Sequence, residues 1–216
     1  MPVKWTRQLI SWEPFESAGV FDVDGDGVLD IVSGAFWYRG PKFVDKFLLA
    51  DDMRRYEDWY DDFSTIPMDI AGNGRLDFIT GGWWGNNLRW RENPGKNGAL
   101  WPEHILADNI GNIETTRAWD IDGDGQAQVV MADADIEDSK VTILRHEKGQ
   151  HWTRQDLPQS FPYGSLHSLA VADFNGDGRL DILVNEQEEL LPAGRQNPSM
   201  LSPLRRANRR AWLIET

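Results

Sequence analysis

The sequence lacks cysteine altogether, so no disulfide can hold the fold together. It also lacks any apolar run approaching the roughly 20 residues of a membrane-spanning helix. Residues 1–10 have no apolar core of the kind that a signal peptide carries. No stretch shows a helical period long enough to indicate a helix. We therefore expect an all-β chain without membrane insertion.

Basic residues are in the minority, since 22 lysines and arginines stand against 35 aspartates and glutamates, a formal net charge of −13. A protein of this sign repels phosphate, so nucleic acid is not an expected partner. Part of the negative charge lies in short glycine-containing segments. We expect the net charge to fall in magnitude when those segments bind cations.

One acidic, glycine-containing segment occurs four times in the chain. Residues Asp22–Asp30 have the sequence DVDGDGVLD, and related segments begin at Asp69 (DIAGNGRLD), Asp120 (DIDGDGQAQ) and Asp173 (DFNGDGRLD). The starts are 47, 51 and 53 residues apart. Self-similarity with a period near 50 residues is typical of propellers and repeat arrays. The sequence therefore predicts a repeat protein with one acidic loop in each repeat.

The spacing of residues in the first loop favours a calcium site. Asp22, Asp24 and Asp26 alternate with residues whose side chains point elsewhere, so three carboxylates can converge on one hard cation. The carbonyl of Val28 and the carboxylate of Asp30 would complete the oxygen shell of about 6 to 8 ligands that Ca²⁺ takes. The loop is not an EF-hand, because it lacks the glutamate at the twelfth position and leads into a strand pattern.

The other three loops vary this set of ligands. The fourth loop keeps a complete set, whereas Ala71 removes the third-position ligand of the second loop and Gln128 replaces the closing carboxylate of the third. The first and fourth loops are therefore predicted to bind calcium more strongly than the other two. The alternative is a set of ordinary turns, for which Asp, Asn and Gly are common. The remaining predicted ligands are Asp69, Asn73 and Asp77 in the second loop, Asp120, Asp122 and Asp124 in the third, and Asp173, Asn175, Asp177 and Asp181 in the fourth.

The residues around each loop predict four short strands per repeat. One strand enters the loop, an apolar run follows it, and two further aromatic or β-branched runs come next. Four strands in about 50 residues match one antiparallel blade of a β-propeller, a fold of about 4 to 8 blades. The four predicted blades of the single domain (residues 1–216) cover residues 15–50, 62–107, 114–158 and 167–216.

The two ends of the chain predict how a ring of four blades closes. Residues 5–10 (WTRQLI) nearly repeat residues 152–157 (WTRQDL), the expected outermost strand of the third blade. The fourth blade has no such strand of its own. We expect residues 3–10 to be its closing strand, which would remove exposed sheet edges. The alternative is a partial ring of a larger propeller, or one that homo-oligomerisation completes.

The motif DxDGDGxxD followed by an apolar strand resembles the FG-GAP and VCBS repeat families, whose members are calcium-bearing β-propellers. The propeller of integrin α subunits is a relative. The resemblance extends over nearly the whole chain, and it implies the fold and Ca²⁺ as the cofactor. It implies no single activity, since such propellers serve as adhesion domains, as lectins and as scaffolds of polysaccharide lyases and sugar dehydratases.

A ligand face is predicted at the end of the blades opposite the acidic loops. The residues six positions before each loop should surround a central channel there, and they are Glu16, Phe63, Glu114 and His167, with Asp61, Asp62 and Arg117 nearby. The connections after the second strands add Trp37, Trp83 and Trp84, and in the third and fourth repeats Asp135 and Glu188. Aromatic faces beside carboxylates suit sugar rings, although solvated strand ends and packing between blades would explain the same residues.

Three functions stay open on this basis. The favoured one is a calcium-stabilised binding module for carbohydrate, with ligand contacts from Glu16, Trp37, Asp62, Trp83, Trp84 and Glu114. A polysaccharide lyase acting on uronate-containing glycans is the first alternative, with His167 as the base and Arg117 neutralising the uronate carboxylate. A protein-binding adhesion module is the second. Because free calcium is higher outside cells, an extracellular or periplasmic location is expected.

Overall fold

The computed structural model describes residues 4–133, 140–147, 151–157, 165–187 and 209–214. Regular structure within these ranges consists of β-strands, and none of the residues described forms a helix that could cross a membrane. The prediction of an all-β chain built from four-stranded antiparallel sheets is confirmed for the first three repeats.

The described residues form seventeen strands. The first sheet contains β1 (Gly19–Phe21), β2 (Asp30–Ser33), β3 (Phe36–Tyr38) and β4 (Lys46–Leu48), and the hairpin of β5 (Arg55–Tyr56) and β6 (Trp59–Tyr60) follows it. The second sheet contains β7 (Ile66–Met68), β8 (Asp77–Gly81), β9 (Asn87–Arg91) and β10 (Glu103–Asp108). The third contains β11 (Ile113–Trp119), β12 (Gln128–Asp133), β13 (Val141–Glu147) and β14 (His151–Asp156). The fourth contains β15 (Ser165–Ala172), β16 (Asp181–Gln187) and β17 (Arg209–Ile214).

Each of the four sheets is an antiparallel meander, in which the order along the chain is also the order in space. The acidic loop joins the first strand to the second. In the first sheet Phe21 pairs with Asp30 across this loop, and in the third Trp119 pairs with Gln128. Since the chain reverses at each turn, the connection between the second and third strands lies at the opposite end of the sheet. The acidic loops are thereby separated from the residues that precede each first strand.

Glycine makes the tight curve of each acidic loop possible. Gly25 and Gly27 have φ angles of 78° and 84°, in the left-handed region that L side chains rarely adopt. The same two positions of the other three loops are also glycines with positive φ. This backbone requirement explains why the glycine spacing is kept in all four loops although the acidic ligands vary.

Successive sheets pack face to face, and the second strands of the two middle sheets, β8 and β12, are buried on both sides. Along β12, Val129 and Met131 join the core shared with the second sheet, whereas Val130 and Ala132 join the core shared with the fourth. A third cluster joins the first sheet to the second. Full burial of a Val, Ile, Leu or Met side chain contributes roughly 1.5–3 kcal/mol relative to exposure. These three clusters fix the order of the sheets.

The N-terminal segment does not form the expected closing strand in this structure. Residues 4–18 contain no strand, and Trp5 and Trp12 are 90 % and 88 % exposed. The side-chain amide of Gln8 donates a 2.9 Å hydrogen bond to the carbonyl of Lys42, which places the segment beside the first sheet. Among the described residues the fourth sheet has three strands, and no hydrophobic cluster joins it to the first.

Candidate functional site

The first acidic loop is folded by its own carboxylates. Asp22 accepts backbone N–H hydrogen bonds of 2.9 to 3.2 Å from residues 25–27. The fully buried carboxylate of Asp30 accepts N–H hydrogen bonds of 2.8 Å from Val23 and from Gly40. Burial raises the pKa of Asp30 above its usual value, against the opposing effect of these two hydrogen bonds. The loop therefore holds its shape through carboxylate–backbone contacts.

Three of the four predicted side-chain ligands in this loop converge. Carboxylate oxygens of Asp22, Asp24 and Asp30 lie within 4.8 Å of one another. The Asp24 side chain is only 9 % exposed, and its Oδ1 atom is buried without a hydrogen-bond partner. Asp26 is exposed, and its Oδ1 accepts the N–H of Val28 at 2.8 Å, outside the convergent group. An oxygen-only cluster with a buried, unsatisfied carboxylate oxygen fits Ca²⁺.

An arginine lies against the same cluster. The guanidinium of Arg39 forms an ion pair with Asp24, in which Nε lies 2.8 Å from Oδ2. It also lies over the rings of Trp37 and Phe47, at 5.7 and 5.6 Å from their centroids. The hydrogen bond to Asp24 raises the pKa of Arg39 above its usual value. The first loop thus has a cationic side chain fixed beside its third-position carboxylate.

The third loop also brings its acidic residues together. Carboxylate oxygens of Asp120, Asp122 and Asp124 lie within 4.8 Å of one another, and Oδ1 of Asp120 is buried without a partner. Gln128 replaces the closing carboxylate: its Oε1 accepts the N–H of Ile121 at 2.6 Å, and its Nε2 donates to Asp122 at 3.1 Å. The amide keeps the loop closed but brings a donor toward the acidic group. This loop also fits a cation, with one carboxylate fewer at its base.

The second and fourth loops do not form a group of three carboxylates within the described structure. In the second, the buried Asp77 accepts three backbone N–H bonds, and burial raises its pKa. In the fourth, the buried Asp181 accepts the N–H of Phe174 at 3.0 Å. Asp177 is held by the backbone N–H of Arg179, which lowers the pKa of Asp177. Groups of three carboxylates thus lie in the first and third loops, whereas the third-position residue of the fourth loop is Asn175, an amide; the stronger binding predicted for the first and fourth loops stays a prediction.

A histidine–carboxylate pair lies at the other end of the sheets. Nδ1 of His167, near the start of β15, is 3.1 Å from Oε1 of Glu114, near the start of β11. Their side chains are 25 % and 30 % exposed, so solvent and ligands can reach both. The ring of Trp83, which follows β8, lies 6.0 Å from the imidazole ring. The structure therefore brings together three predicted site residues that come from three different sheets.

An aromatic platform is formed by Tyr56, Trp59, Phe63 and Trp84, and Trp84 directly follows Trp83 in the sequence. Trp84 stacks on Tyr56 with ring centroids 5.2 Å apart and planes inclined by 14°, and Phe63 meets Trp84 edge-on at 5.9 Å. Tyr56 and Trp59, both in the hairpin of β5 and β6, are 54 % and 53 % exposed. Sequence reasoning missed these two residues. The available signal was three aromatic residues, one before and two after an acidic turn, in residues 55–60 (RYEDWY).

The backbone of Trp84 is anchored by a buried ion pair. One carboxylate oxygen of Asp61 accepts the N–H of Trp84 at 3.1 Å, and the other accepts a 2.9 Å hydrogen bond from Arg89. Both charged side chains are 3 % exposed. Burial lowers the pKa of Arg89, while the charge of Asp61 opposes this effect. Asp61 therefore holds the backbone of Trp84 in place and is itself inaccessible to a ligand.

Trp37 and Asp62 were predicted to contact a ligand, but both side chains are buried. Trp37 is 1 % exposed and stacks on Phe47 at 4.4 Å within the core between the first two sheets. Asp62 is 2 % exposed, accepts the N–H of Glu16 at 3.3 Å through Oδ1, and has no partner at Oδ2. Burial raises the pKa of Asp62 to about 7. Neither side chain can contact a ligand, whereas Glu16 itself is exposed.

A cavity of about 500 Å³ opens between the first strands of three sheets. Its wall includes Ser17 before β1, Phe63 before β7, and Thr116 and Arg117 of β11. Arg117 is exposed, donates to the carbonyl of Thr116 at 2.8 Å, and forms no ion pair with a described residue. Phe63 belongs both to this wall and to the aromatic platform. The expected positions of Asp135 and Glu188 lie outside the described residues.

Comparison with known families bears on the repeat and not on the ligand. The family model of the FG-GAP-like repeat matches residues 120–184. This range contains the third and fourth acidic loops, the strands β12 to β15 and the beginning of β16. This part of the chain is similar to an FG-GAP-like repeat, as the loop motif predicted. No curated protein matches the chain. The match favours a binding module built from such repeats.

Proposed function

We propose that the protein is a calcium-braced β-propeller that binds carbohydrate at the end of the sheets opposite the acidic loops. The observation that carries this proposal is the aromatic platform of Tyr56, Trp59, Phe63 and Trp84, with Tyr56 and Trp59 exposed. Trp83, the residue before Trp84, contacts His167 of the accessible Glu114–His167 pair. Sugar rings stack their apolar C–H faces on aromatic rings, and their hydroxyls seek acceptors such as carboxylates. Both kinds of contact are present on one face.

The arrangement of the sheets supports the propeller. The four sheets pack in chain order through shared cores, and first strands are neighbours in two places, β1 beside β7 and β11 beside β15. First strands also line the cavity, and Trp83 of the second repeat contacts His167 of the fourth. Inner strands around a central opening are the defining geometry of a propeller. We propose four blades, with residues 3–10 completing the last; for this the segment would leave its unpaired position beside the first sheet.

Calcium would serve as a brace in this account. The carboxylates of Asp22, Asp24 and Asp30 would hold it in the first loop, and those of Asp120, Asp122 and Asp124 in the third. A cation that binds only the folded chain stabilises it by mass action. The acidic loops and the aromatic platform lie at opposite ends of the second strands. The cation therefore supports the fold and does not contact the sugar.

Weak calcium loops would be filled outside the cytoplasm, where free calcium is higher. We therefore propose an extracellular or periplasmic location. Fractionation of cells that make the untagged protein tests this proposal, which recovery in the cytoplasmic fraction alone would contradict.

A glycan panel tests the ligand assignment. We expect Trp84→Ala and Tyr56→Ala to weaken binding of the best glycan by about tenfold each, because an aromatic stacking contact contributes about 0.5–1.5 kcal/mol beyond its buried area. Phe174→Ala is the matched control, since Phe174 is 46 % exposed but lies in the fourth acidic loop, at the opposite end. Calorimetry gives the affinities, and circular dichroism verifies that each variant is folded.

The result that would overturn the carbohydrate assignment is an equal affinity in the Trp84 and Phe174 variants. Failure of the wild-type protein to retain any glycan of a broad panel would also overturn it. In the latter case the same aromatic face would have a protein ligand, and the adhesion function would replace the present proposal.

A lyase activity is the second candidate, favoured by the contact of His167 with Glu114. A carboxylate that orients an imidazole is the usual environment of a general base, and the exposed Arg117, which pairs with no carboxylate of the described residues, offers a positive charge for a uronate carboxylate. β-Elimination creates a double bond, so absorbance should rise when uronate-containing glycans are added. His167→Ala should abolish the rise. A panel of uronate glycans without any absorbance change would remove this candidate.

A further inference from the structure

Two arginines occupy the same position in two different repeats. Arg39 directly follows Tyr38, which pairs with Ile31 at the start of β2. Arg145 directly follows Leu144, which pairs with Val129 at the start of β12. Ile31 and Val129 each come immediately after the residue that closes the acidic loop. The two arginines are therefore equivalent by strand register, which sequence spacing alone does not show.

Both arginines contact the carboxylate at the third position of their loop. Nε of Arg39 lies 2.8 Å from Oδ2 of Asp24, and Nε of Arg145 lies 3.4 Å from Oδ2 of Asp122. The contact in the first loop is the more shielded one, since Asp24 is 9 % exposed and Asp122 is 39 % exposed. The other carboxylate oxygen of Asp24, Oδ1, is buried and unpartnered, and Asp24 belongs to the convergent carboxylate group.

The other two repeats lack both members of this pair. The second loop has Ala71 at its third position, and the residue in the arginine register is Glu92, which instead contacts His104 at 3.0 Å. The fourth loop has Asn175 at its third position, and the corresponding residue in the sequence is Glu215, outside the described residues. An arginine is thus present in the two repeats whose third-position residue is an aspartate, and a glutamate in the two whose third-position residue is uncharged.

We propose that Arg39 and Arg145 are resident counter-cations, which neutralise the third-position carboxylates without calcium and lower the calcium affinity of the first and third loops. A buried carboxylate without a cationic partner is costly, so the arginine keeps the loop folded when calcium is scarce. The same fixed positive charge repels a divalent cation that approaches Oδ1 of Asp24. This inference rests on the proposed calcium role of the loops and is independent of the carbohydrate proposal.

A purely orienting arginine would have the opposite effect on affinity. If Arg39 served only to aim Asp24 at the cation, its removal would weaken calcium binding. Asp24 is already confined by burial, its Oδ1 atom has no partner, and the residue belongs to the convergent group. We therefore expect charge repulsion to exceed the benefit of orientation, by a factor of at least about ten in affinity for a divalent ion a few ångströms away.

Calcium titration of Arg39→Gln tests the inference. The variant should bind Ca²⁺ in the first loop at least about tenfold more tightly than the wild type, and Asp22→Asn identifies which titration event belongs to that loop. The variant should also melt at a lower temperature in chelator and recover more than the wild type on adding calcium. Arg145→Gln should show the same changes to a smaller extent, because Arg145 is also bound by Gln155.

Lys42→Gln is the matched control, because it removes one exposed positive charge from the turn that follows Arg39 without touching Asp24. Equal calcium affinities in the Arg39 and Lys42 variants, or a weaker affinity in Arg39→Gln, would overturn the inference. If Arg39→Gln does not fold in chelator, Arg39→Lys decides: it keeps the charge but loses the planar fork, so its calcium affinity should stay near that of the wild type.

The outcomes separate this inference from the calcium proposal beneath it. If neither the wild type nor Arg39→Gln binds calcium, both are overturned. If the wild type binds calcium and the arginine variants bind it equally well, only the counter-cation role is lost.

Discussion

Asp62 shows how one buried carboxyl group can make stability depend on pH. It is 2 % exposed, lies beside the buried Asp61–Arg89 pair in the chain, and burial raises its pKa to about 7. In the unfolded chain an aspartate has a pKa of about 3.9. Between these two values the folded chain keeps a proton that the unfolded chain releases. Stability contributed by this group is therefore fully present at low pH and is lost as pH rises toward the folded pKa.

Asp62→Asn is predicted to remove this dependence, because the amide cannot ionise and can still accept the N–H of Glu16. The free energy of unfolding of the variant minus that of the wild type should be larger near pH 8 than near pH 4, by up to about 4 kcal/mol. Urea unfolding at a series of pH values measures this.

The control for that measurement is Asp58→Asn, since the Asp58 side chain is 96 % exposed. If the free energies of unfolding of the wild type and Asp62→Asn depend on pH in parallel, folding does not raise the pKa of Asp62, and the assignment of its pKa is wrong.

At this scale the sequence predicted the loop residues better than the ligand contacts. Regular spacing places Asp22, Asp24 and Asp30 in one loop, and the structure brings their oxygens together. Trp37 and Trp84 occupy similar positions after second strands, yet one is buried and the other is partly exposed. Which way such a side chain faces depends on the neighbouring sheet, and sequence spacing does not contain that information.

At the scale of elements, the period of the acidic loops predicted the four-stranded meanders of the first three repeats. The hairpin of β5 and β6 was not predicted, because each of its strands has two residues and shows no alternation. Its contribution is nonetheless specific, since it carries Tyr56 and Trp59 to the exposed face. Insertions between blades are set by contacts with distant residues, here by the stacking of Tyr56 on Trp84.

The N-terminal segment gives an element-scale prediction. If residues 3–10 complete the fourth blade as proposed, Gln8→Pro or Leu9→Pro should lower the melting temperature by several degrees more than alanine at the same position. In an edge strand, alternate N–H groups point to the neighbouring strand, so one of two successive residues donates a hydrogen bond to it. Proline at that position removes the donor. Differential scanning calorimetry compares the four variants.

The alanine variants serve as controls because Gln8→Ala removes only the side-chain bond to Lys42. Melting temperatures that do not differ between proline and alanine would agree with the unpaired segment of the structure and would contradict closure by this strand.

At the scale of the whole molecule, the two ends of the sheets have different chemistry. One end carries the four acidic loops, with carboxylate groups that fit cations in the first and third. The other end carries the aromatic platform and the pair of His167 and Glu114. The repeat could be predicted from the sequence because it recurs four times. On the ligand face the sequence predicted Trp83, Trp84, Glu114 and His167 but missed Tyr56 and Trp59, which belong to no repeated motif.

The central claim is that a carbohydrate binds on the aromatic face, and ¹⁹F NMR of protein labelled with 5-fluorotryptophan tests it most directly. The eleven tryptophans give separate probes over the whole molecule, assigned by single Trp→Phe substitutions. Titration with the best-binding glycan is predicted to move the resonances of Trp83 and Trp84 while that of the buried Trp37 stays in place. Unmoved resonances of Trp83 and Trp84, with shifts confined to tryptophans elsewhere, would contradict the account.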